Sequence, residues 1–320
     1  EQIKGRIDTV KRFILLTDLE EAPQTSIPLA GEYETLLAEG EPIFEFEDFD
    51  ENTRATTFYT TGTTGMPKGV YFSHRQLVLH TLGNLAAFGT PATQGRFHQE
   101  DVYMPLTPMF HVHAWGMPYV ATSLGVKQVY PGKYAPGTIL QLVAGAGVTF
   151  SHCVPTVMHM LMNHPSFNEL DLSRWKVLIG GSALRKSMCQ TAMARGIDIF
   201  TGYGMSETCP ILTVAHVHRN DLAFGEEVDL RCTTGRPIPL VELRLVDEQM
   251  NEVAHDGEQV GEIVVRTPWL TQGYLKDQRN SENLWRGGYL HTGDVASIDH
   301  GNYVTISDRI KDVIKTGGEW

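Results

Sequence analysis

With 320 residues, 42% of them hydrophobic and 20% charged, the chain is long enough for two domains, or a domain with a subdomain. Acidic residues outnumber basic ones 38 to 26, and the formal charge of −12 leaves no basic stripe to neutralise a phosphate backbone, which argues against nucleic acid as a partner. No apolar run is long enough to span a bilayer, no signal peptide is legible, and the four cysteines (Cys153, Cys189, Cys209, Cys232) lie far apart without C-x-x-C pairing; a reduced cytoplasmic protein is expected rather than a disulfide framework or a zinc site.

The chain starts at Glu1 and stops at Trp320, and neither end has the character of a domain edge, so a fragment of a longer protein is expected. Residues 12–16 form a nearly unbroken apolar run, as for a strand buried on both faces. A short helix is predicted over 32–39 and an acidic, solvated loop over 45–50. A strand-like run at 55–59 then leads into Thr60-Thr61-Gly62-Thr63-Thr64-Gly65-Met66-Pro67-Lys68-Gly69. Glycines allow positive φ and let N–H groups converge on an anion, threonine hydroxyls add donors, and Lys68 adds a point charge. The chemistry is phosphate-holding, but the spacing is not that of G-x-x-x-x-G-K-[ST]. A mobile Gly/Thr linker would account for the glycines and not for Pro67 and Lys68 fixed between them.

Ser73 is placed as the N-cap of a helix over 73–88, with Leu77, Leu79, Leu82 and Leu85 at helical spacing. A strand-to-loop segment at 101–108 ends in Phe110-His111-Val112-His113-Ala114-Trp115-Gly116. Two histidines at i, i+2 invite a metal reading, but prolines just before them indicate a loop and no third ligand follows. The ordinary expectation for each is a hydrogen-bonded core or loop histidine, and for Trp115 core packing. Strands at 126–130, 147–150, 176–179 and 198–200 alternate with helices at 155–162 and 184–194. That alternation calls for right-handed crossovers and a largely parallel sheet. Gly180-Gly181-Ser182 and Thr201-Gly202-Tyr203-Gly204 both fall at carboxyl ends of strands, hence on one ligand-binding rim.

Gly202-Tyr203-Gly204-Met205-Ser206-Glu207-Thr208 carries a tyrosine whose flat face can stack on a base, and a hydroxyl and carboxylate suited to a phosphate oxygen and a hard divalent cation. From 235 the texture changes. Alternation at 241–246 and 262–266 predicts half-exposed antiparallel strands, and a small β-barrel-like subdomain is read over 235–307. Asp294, after Gly293, sits at the end of a short strand, where a turn role is the ordinary expectation. The charges of 307–312 could by themselves be a solvated face. The fold class is therefore α/β: a parallel-rich sheet with flanking helices over 1–234, then the small antiparallel subdomain.

In this order the four motifs, at 60–69, 202–208, 287–294 and 307–315, resemble the adenylate-forming superfamily of acyl-CoA synthetases, firefly-type luciferases and peptide-synthetase adenylation domains. The segments at 110–115 and 315–320 bring the resemblance nearest to fatty-acyl-CoA synthetases. The resemblance implies ATP-dependent activation of a medium- or long-chain carboxylate to an acyl-adenylate, then thioester formation with coenzyme A. It places the β- and γ-phosphates on Lys68 and the run Thr60, Thr61, Gly62, Thr63, Thr64 and Gly65, and Mg²⁺ on Glu207 with a contribution from Thr60. Adenine would lie between Gly181, Ser182, Ala183 and the Gly202, Tyr203, Gly204, Met205, Ser206 segment, with Ser206 standing where threonine is commoner. Asp294 and Arg309 would hold the ribose. His111, Val112, Trp115 and Gly116 would border the acyl group, Trp115 as a gate and His111 near the reacting carboxylate. Lys311 would be the pivot of a hinge over 308–320 that opens a mobile lid. The lid lysine that assists the first step in this superfamily lies beyond Trp320. Two alternatives stand beside this reading: a nucleotide- and acyl-binding module without turnover, and an amino-acid-activating adenylation domain. A Ser/His/Asp hydrolase is disfavoured because no G-x-S-x-G is present. Peripheral membrane association stays open.

Overall fold

A computed structural model describes residues 3–19, 23–60, 66–92, 94–219 and 221–309. Residues 1–50 and 51–320 form separate units. In the first, strand β1 (Phe13–Leu15) pairs in parallel with β2 (Leu29–Glu32), and the helix Tyr33–Ala38 follows, its N-cap Glu32 accepting from the Thr35 N–H at 3.0 Å. The expectation of a strand buried on both faces fails here: Ile14 is 54% exposed, because within this unit the strand has one neighbour and no covering layer. Residues 45–50 are exposed coil, as their charge requires.

The second unit opens with an antiparallel hairpin, β3 (Arg54–Thr60) and β4 (Lys68–Ser73), in which Thr60 faces Lys68. Lys68 and Gly69 thus belong to a strand rather than to the loop expected for them. Ser73 ends β4 and caps the helix His74–Gly89 with a full capping box, its hydroxyl on the Gln76 N–H and the Gln76 side chain on its own N–H. A glycine is required inside this helix at Gly83, because the buried ring of Trp269 lies 2.8 Å from where a Cβ would stand.

The central sheet has seven strands: β5 (Val102–Pro105), β6 (Lys127–Gln128), β7 (Phe150–Cys153), β8 (Lys176–Ile179), β9 (Asp198–Gly204), β10 (Ile211–Val214) and β11 (Arg236–Pro237), in the order β11-β10-β9-β8-β7-β5-β6. Strands β5 to β9 pair in parallel and β10 and β11 add antiparallel at one edge. The strand expected at 147–150 starts only at Phe150. Gly147, at φ 70°, and the Val148 N–H, bonded to the Val143 carbonyl, still belong to the C-terminal turn of the helix Pro136–Gly145. Both faces of the sheet are buried. Val177, Ile179 and Ile199 pack with the helices Pro155–Met162 and Lys186–Ala194, while Leu178, Phe200 and Phe150 pack toward β4 and the helix His74–Gly89. This is period-two alternation with no polar side, hence the continuous apolar runs in the sequence.

A four-stranded antiparallel sheet follows, with β12 (Glu242–Val246), β13 (Gly261–Arg266), β14 (Leu290–Ile298) and β15 (Val304–Arg309) in sequential order. The half-exposed pattern expected for 262–266 is overturned. Gly261 through Val265 are all buried, since Ile263 and Val265 pack into one apolar cluster and Val264 into another with Val246 and Tyr289. Asp294, expected at a strand end, lies within the nine-residue β14. Among the described residues no helix is long and apolar enough to cross a membrane.

Candidate active site

Register and two loops bring Lys68 and Glu207 together. The segment around Tyr274 joins them by backbone bonds: the Leu275 N–H donates to the Gly69 carbonyl at 2.8 Å and the Thr271 N–H to the Glu207 carbonyl at 3.0 Å. The Thr271 hydroxyl adds a bond to the Tyr71 carbonyl at 3.1 Å. A cavity of about 590 Å³ results, lined among others by Thr60, Lys68, His111, Trp115, Tyr203 and Glu207. The Tyr274 phenol donates to Glu207 Oε1 at 2.6 Å, and the Lys68 ammonium stands 4.7 Å from the centre of the same ring. Burial, and then the Glu207 charge, push the Tyr274 phenol above its ordinary range, so it stays a donor.

The parallel strands deliver the rim that their order predicts. β8 ends at Ile179, paired with Thr201 of β9, so Gly180 and Gly181 stand beside Gly202, Tyr203 and Gly204 at the carboxyl edge. A second cavity of about 510 Å³ shares Gly181 and residues 202–205 with the first and adds Ser182, Ala183 and Asp294. The Tyr203 hydroxyl donates to Asp294 Oδ2 at 2.7 Å, and Asp294 is buried at 5% exposure. The backbone of Arg309 is in register with Asp294 across β14 and β15. Lys68 and Glu207 thus face one cavity, Asp294 the other, and the glycine–tyrosine rim is common to both. Ser206 and Met205 line the first cavity beside Glu207. Thr61, Gly62, Thr63, Thr64, Gly65 and Lys311 lie outside the described residues.

The stretch after His111 departs from both helix and loop. Val112, His113, Ala114 and Trp115 have φ of 48°, 55°, 47° and 61°, and Gly116 continues at 73°, a left-handed turn in which only the last residue is glycine. Each non-glycine residue there costs about 1–2 kcal/mol, so the neighbours must hold it. They do: Val112, Ala114 and Trp115 are buried, and His113 Nε2 bonds the Thr56 hydroxyl at 3.0 Å. The turn aims the indole of Trp115 into the cavity wall, 5.0 Å from the ring of fully buried His152 and against Gly180, where an added Cβ would lie 3.0 Å from the indole edge. His152 bonds the Tyr103 hydroxyl at 2.7 Å and the Thr107 hydroxyl. Burial pulls its pKa down to about 3 and that of His113 to about 4, so neither carries charge near neutrality. His111 is exposed on the cavity, and Gly116 lies in neither cavity wall but against His80.

Tyr274, Asp277 and Asn280 also line the first cavity, and sequence reasoning passed over them. The signal was Thr271-Gln272-Gly273-Tyr274, an aromatic after glycine between two predicted strands. For a divalent cation the donor set fits magnesium rather than zinc. Among the described residues no three His, Cys, Asp or Glu side chains are placed to hold a metal ion together, while Glu207 offers a cavity-facing carboxylate with Oε1 already bonded; magnesium is commonly held by one or two carboxylates, waters and substrate phosphates.

A family model described as AMP-binding enzyme matches residues 5–275. The long-chain-fatty-acid–CoA ligase of Thermus thermophilus is 40% identical over 326 residues, covering 100% of this chain and 58% of the relative. The medium-chain-fatty-acid–CoA ligase of Ectopseudomonas oleovorans is 36% identical over 329 residues, with the same coverage of 100% and 58%. The chain therefore spans 58% of the length of each of these curated relatives. Among solved structures, an anthranilate CoA ligase in complex with anthranoyl-AMP superposes with a TM-score of 0.80 at 21% identity, over 100% of this chain and 58% of that one. A long-chain-fatty-acid-CoA ligase from Archaeoglobus fulgidus does so with a TM-score of 0.72 at 24% identity, over 86% and 56%.

Proposed function

The chain belongs to the AMP-binding enzyme family, and from that premise we propose that its parent protein is an AMP-forming ligase joining a medium- or long-chain fatty acid to coenzyme A. The observation that carries the reading is the common rim. Lys68 and the Glu207 carboxylate face one cavity, an aspartate hydrogen-bonded by Tyr203 faces the next, and Gly202-Tyr203-Gly204 borders both. That layout suits an extended mononucleotide, with phosphates at Lys68 and ribose at Asp294.

In the first step a fatty carboxylate attacks the α-phosphorus of ATP, forming acyl-adenylate and releasing pyrophosphate. In the second the thiol of coenzyme A displaces AMP. The first step brings two anions together, so the residues act by positioning and by neutralising charge. Lys68 holds the β- and γ-phosphate oxygens with the threonine-rich segment 60–65. Glu207, joined by Thr60, would hold Mg²⁺, which would draw charge from the phosphate oxygens. Tyr203 presents its ring to adenine beside Gly181, Ser182 and Ala183, and Asp294 accepts from the ribose hydroxyls. His111 stands at the cavity mouth where the carboxylate enters, and Trp115 closes the wall behind it. Residues 308–320 act as hinge and first part of a lid, and the location is cytoplasmic.

Fatty-acid-dependent ATP–pyrophosphate exchange tests the reading, run on this chain and on the full-length parent with a panel of acid lengths. Exchange by the parent with medium or long acids is expected, with slower exchange by this chain. No exchange by either removes the ligase assignment, and exchange driven by amino acids instead favours an amino-acid-activating domain.

A further inference from the structure

Two groups of opposite charge, Lys68 and Glu207, line the same cavity, yet among the described residues no ion pair joins them. An ammonium and a carboxylate sharing a cavity ordinarily attract. Had they paired, the lysine would be engaged before any phosphate arrived, and the carboxylate before any cation. Tyr274 contacts both and engages each differently. Its ring face lies under the ammonium at 4.7 Å, an attraction of cation to aromatic quadrupole that uses none of the ammonium's N–H donors as a hydrogen bond to a carboxylate would. Its hydroxyl donates to Glu207 Oε1 at 2.6 Å and fixes the carboxylate rotamer while using one oxygen.

The tyrosine is itself held from both sides. Val70 of β4 forms an isolated antiparallel bridge with Tyr274, the Tyr274 N–H donates to the Ser281 hydroxyl at 2.8 Å, and the next residue bonds Gly69. Glycine at 69 eases this approach, since an added Cβ would stand 3.1 Å from the Leu275 Cβ and 3.3 Å from the Tyr59 ring, and those side chains would have to give by a few tenths of an ångström.

We infer that Tyr274 is a positioning residue that keeps Lys68 and Glu207 from neutralising each other, so that each reaches the nucleotide unpaired. The inference rests on the nucleotide reading above and assigns the chemistry of that site's ground state.

The test is a mutant cycle read by binding. Metal-free ATP is titrated calorimetrically into the chain carrying Tyr274→Ala, Glu207→Gln, or both. With Glu207 present, Tyr274→Ala releases the two charges to pair, and ATP affinity is expected to fall about five- to tenfold. In the Glu207→Gln background the Lys68–Glu207 pair cannot form, while Asp277, which lines the same cavity, is present in both backgrounds and cancels from the comparison; the same substitution is then expected to leave affinity within about twofold. Equal losses in both backgrounds would overturn the inference, since Tyr274 would then serve only as cavity wall. Should Tyr274→Ala not fold, Tyr274→Leu keeps the bulk, lacks both ring face and hydroxyl, and is carried through the same two backgrounds. Failure of the wild-type chain to bind ATP would instead defeat the nucleotide reading itself.

Discussion

Gly204→Ala separates a glycine that a ligand requires from one that the backbone requires. The φ of Gly204 is not in the left-handed region, so conformational freedom is not the reason for glycine there. The reason is proximity: a Cβ at 204 would lie 1.8 Å from the Pro210 carbonyl oxygen and 2.5 Å from its carbon. Carbon–oxygen contacts ordinarily stay beyond about 3.3 Å, so the hairpin of β9 and β10 must part by roughly 1.5 Å. The Pro210 carbonyl cannot retreat cheaply, because it accepts from the Thr208 hydroxyl and the next N–H, of Ile211, is held by His80 Nε2 at 3.2 Å. Overpacking against backbone, with one or two hydrogen bonds weakened, gives a cost of about 3–4 kcal/mol. Gly202→Ala is the internal control. There the nearest atom, at 2.9 Å, is a terminal methyl of Leu178, which can rotate aside, for about 1 kcal/mol. Urea denaturation and thermal melting read the difference, and Gly204→Ala should lower the melting temperature by on the order of 5–10 °C. ATP affinity should fall too, because Tyr203 moves with the strand. If Gly204→Ala melts within about 2 °C of the parent and together with Gly202→Ala, the close-approach argument is wrong.

Acid should unfold the protein through its buried histidines. His80 and His152 are held at about 3, and His113 and His216 at about 4, each chiefly by burial. Their folded pKa values lie below the ordinary one, so the unfolded chain takes protons first: stability is full above about pH 6.5 and is lost as pH falls toward 4. Each site should cost about 1 kcal/mol on going from pH 7.5 to 5.5, and an unchanged urea midpoint between those values would show that the rings are not held neutral. Ser73→Ala removes half of the capping box on the helix His74–Gly89 and should cost about 1 kcal/mol in the same titration, with Ser73→Asp restoring most of it. Gly180→Val pushes into the Trp115 indole and should lower exchange with long acids relative to short ones by about tenfold; an equal loss for every length would mean that the indole does not border the acyl tail.

What the sequence determined by itself is the type and place of most elements, though not, at 12–16 and 262–266, which faces are covered. The segment at 176–179 was legible as a strand, and it is β8, Lys176–Ile179. Pro155 opens the helix Pro155–Met162 with the residue that lacks an N–H where none is needed, and Ser73 announced an N-cap, which Gln76 completes as a capping box in the structure. The rim at Gly180 and Gly202 followed from counting strands and crossovers. Tertiary structure decided what depends on residues far apart in number. Nothing local marks Tyr274 as the wedge between Lys68 and Glu207, because the bonds that place it run to Gly69 and from Thr271 to Glu207. Nothing local predicts four left-handed residues before Gly116 either, since intrinsic preference opposes them and tertiary contacts hold them, the packing of Val112, Ala114 and Trp115 and the bond from His113 to Thr56. A sequence states the preferences of each segment, whereas a site is assembled from contacts whose energies exceed those preferences, and such contacts exist only after the strands have found their register.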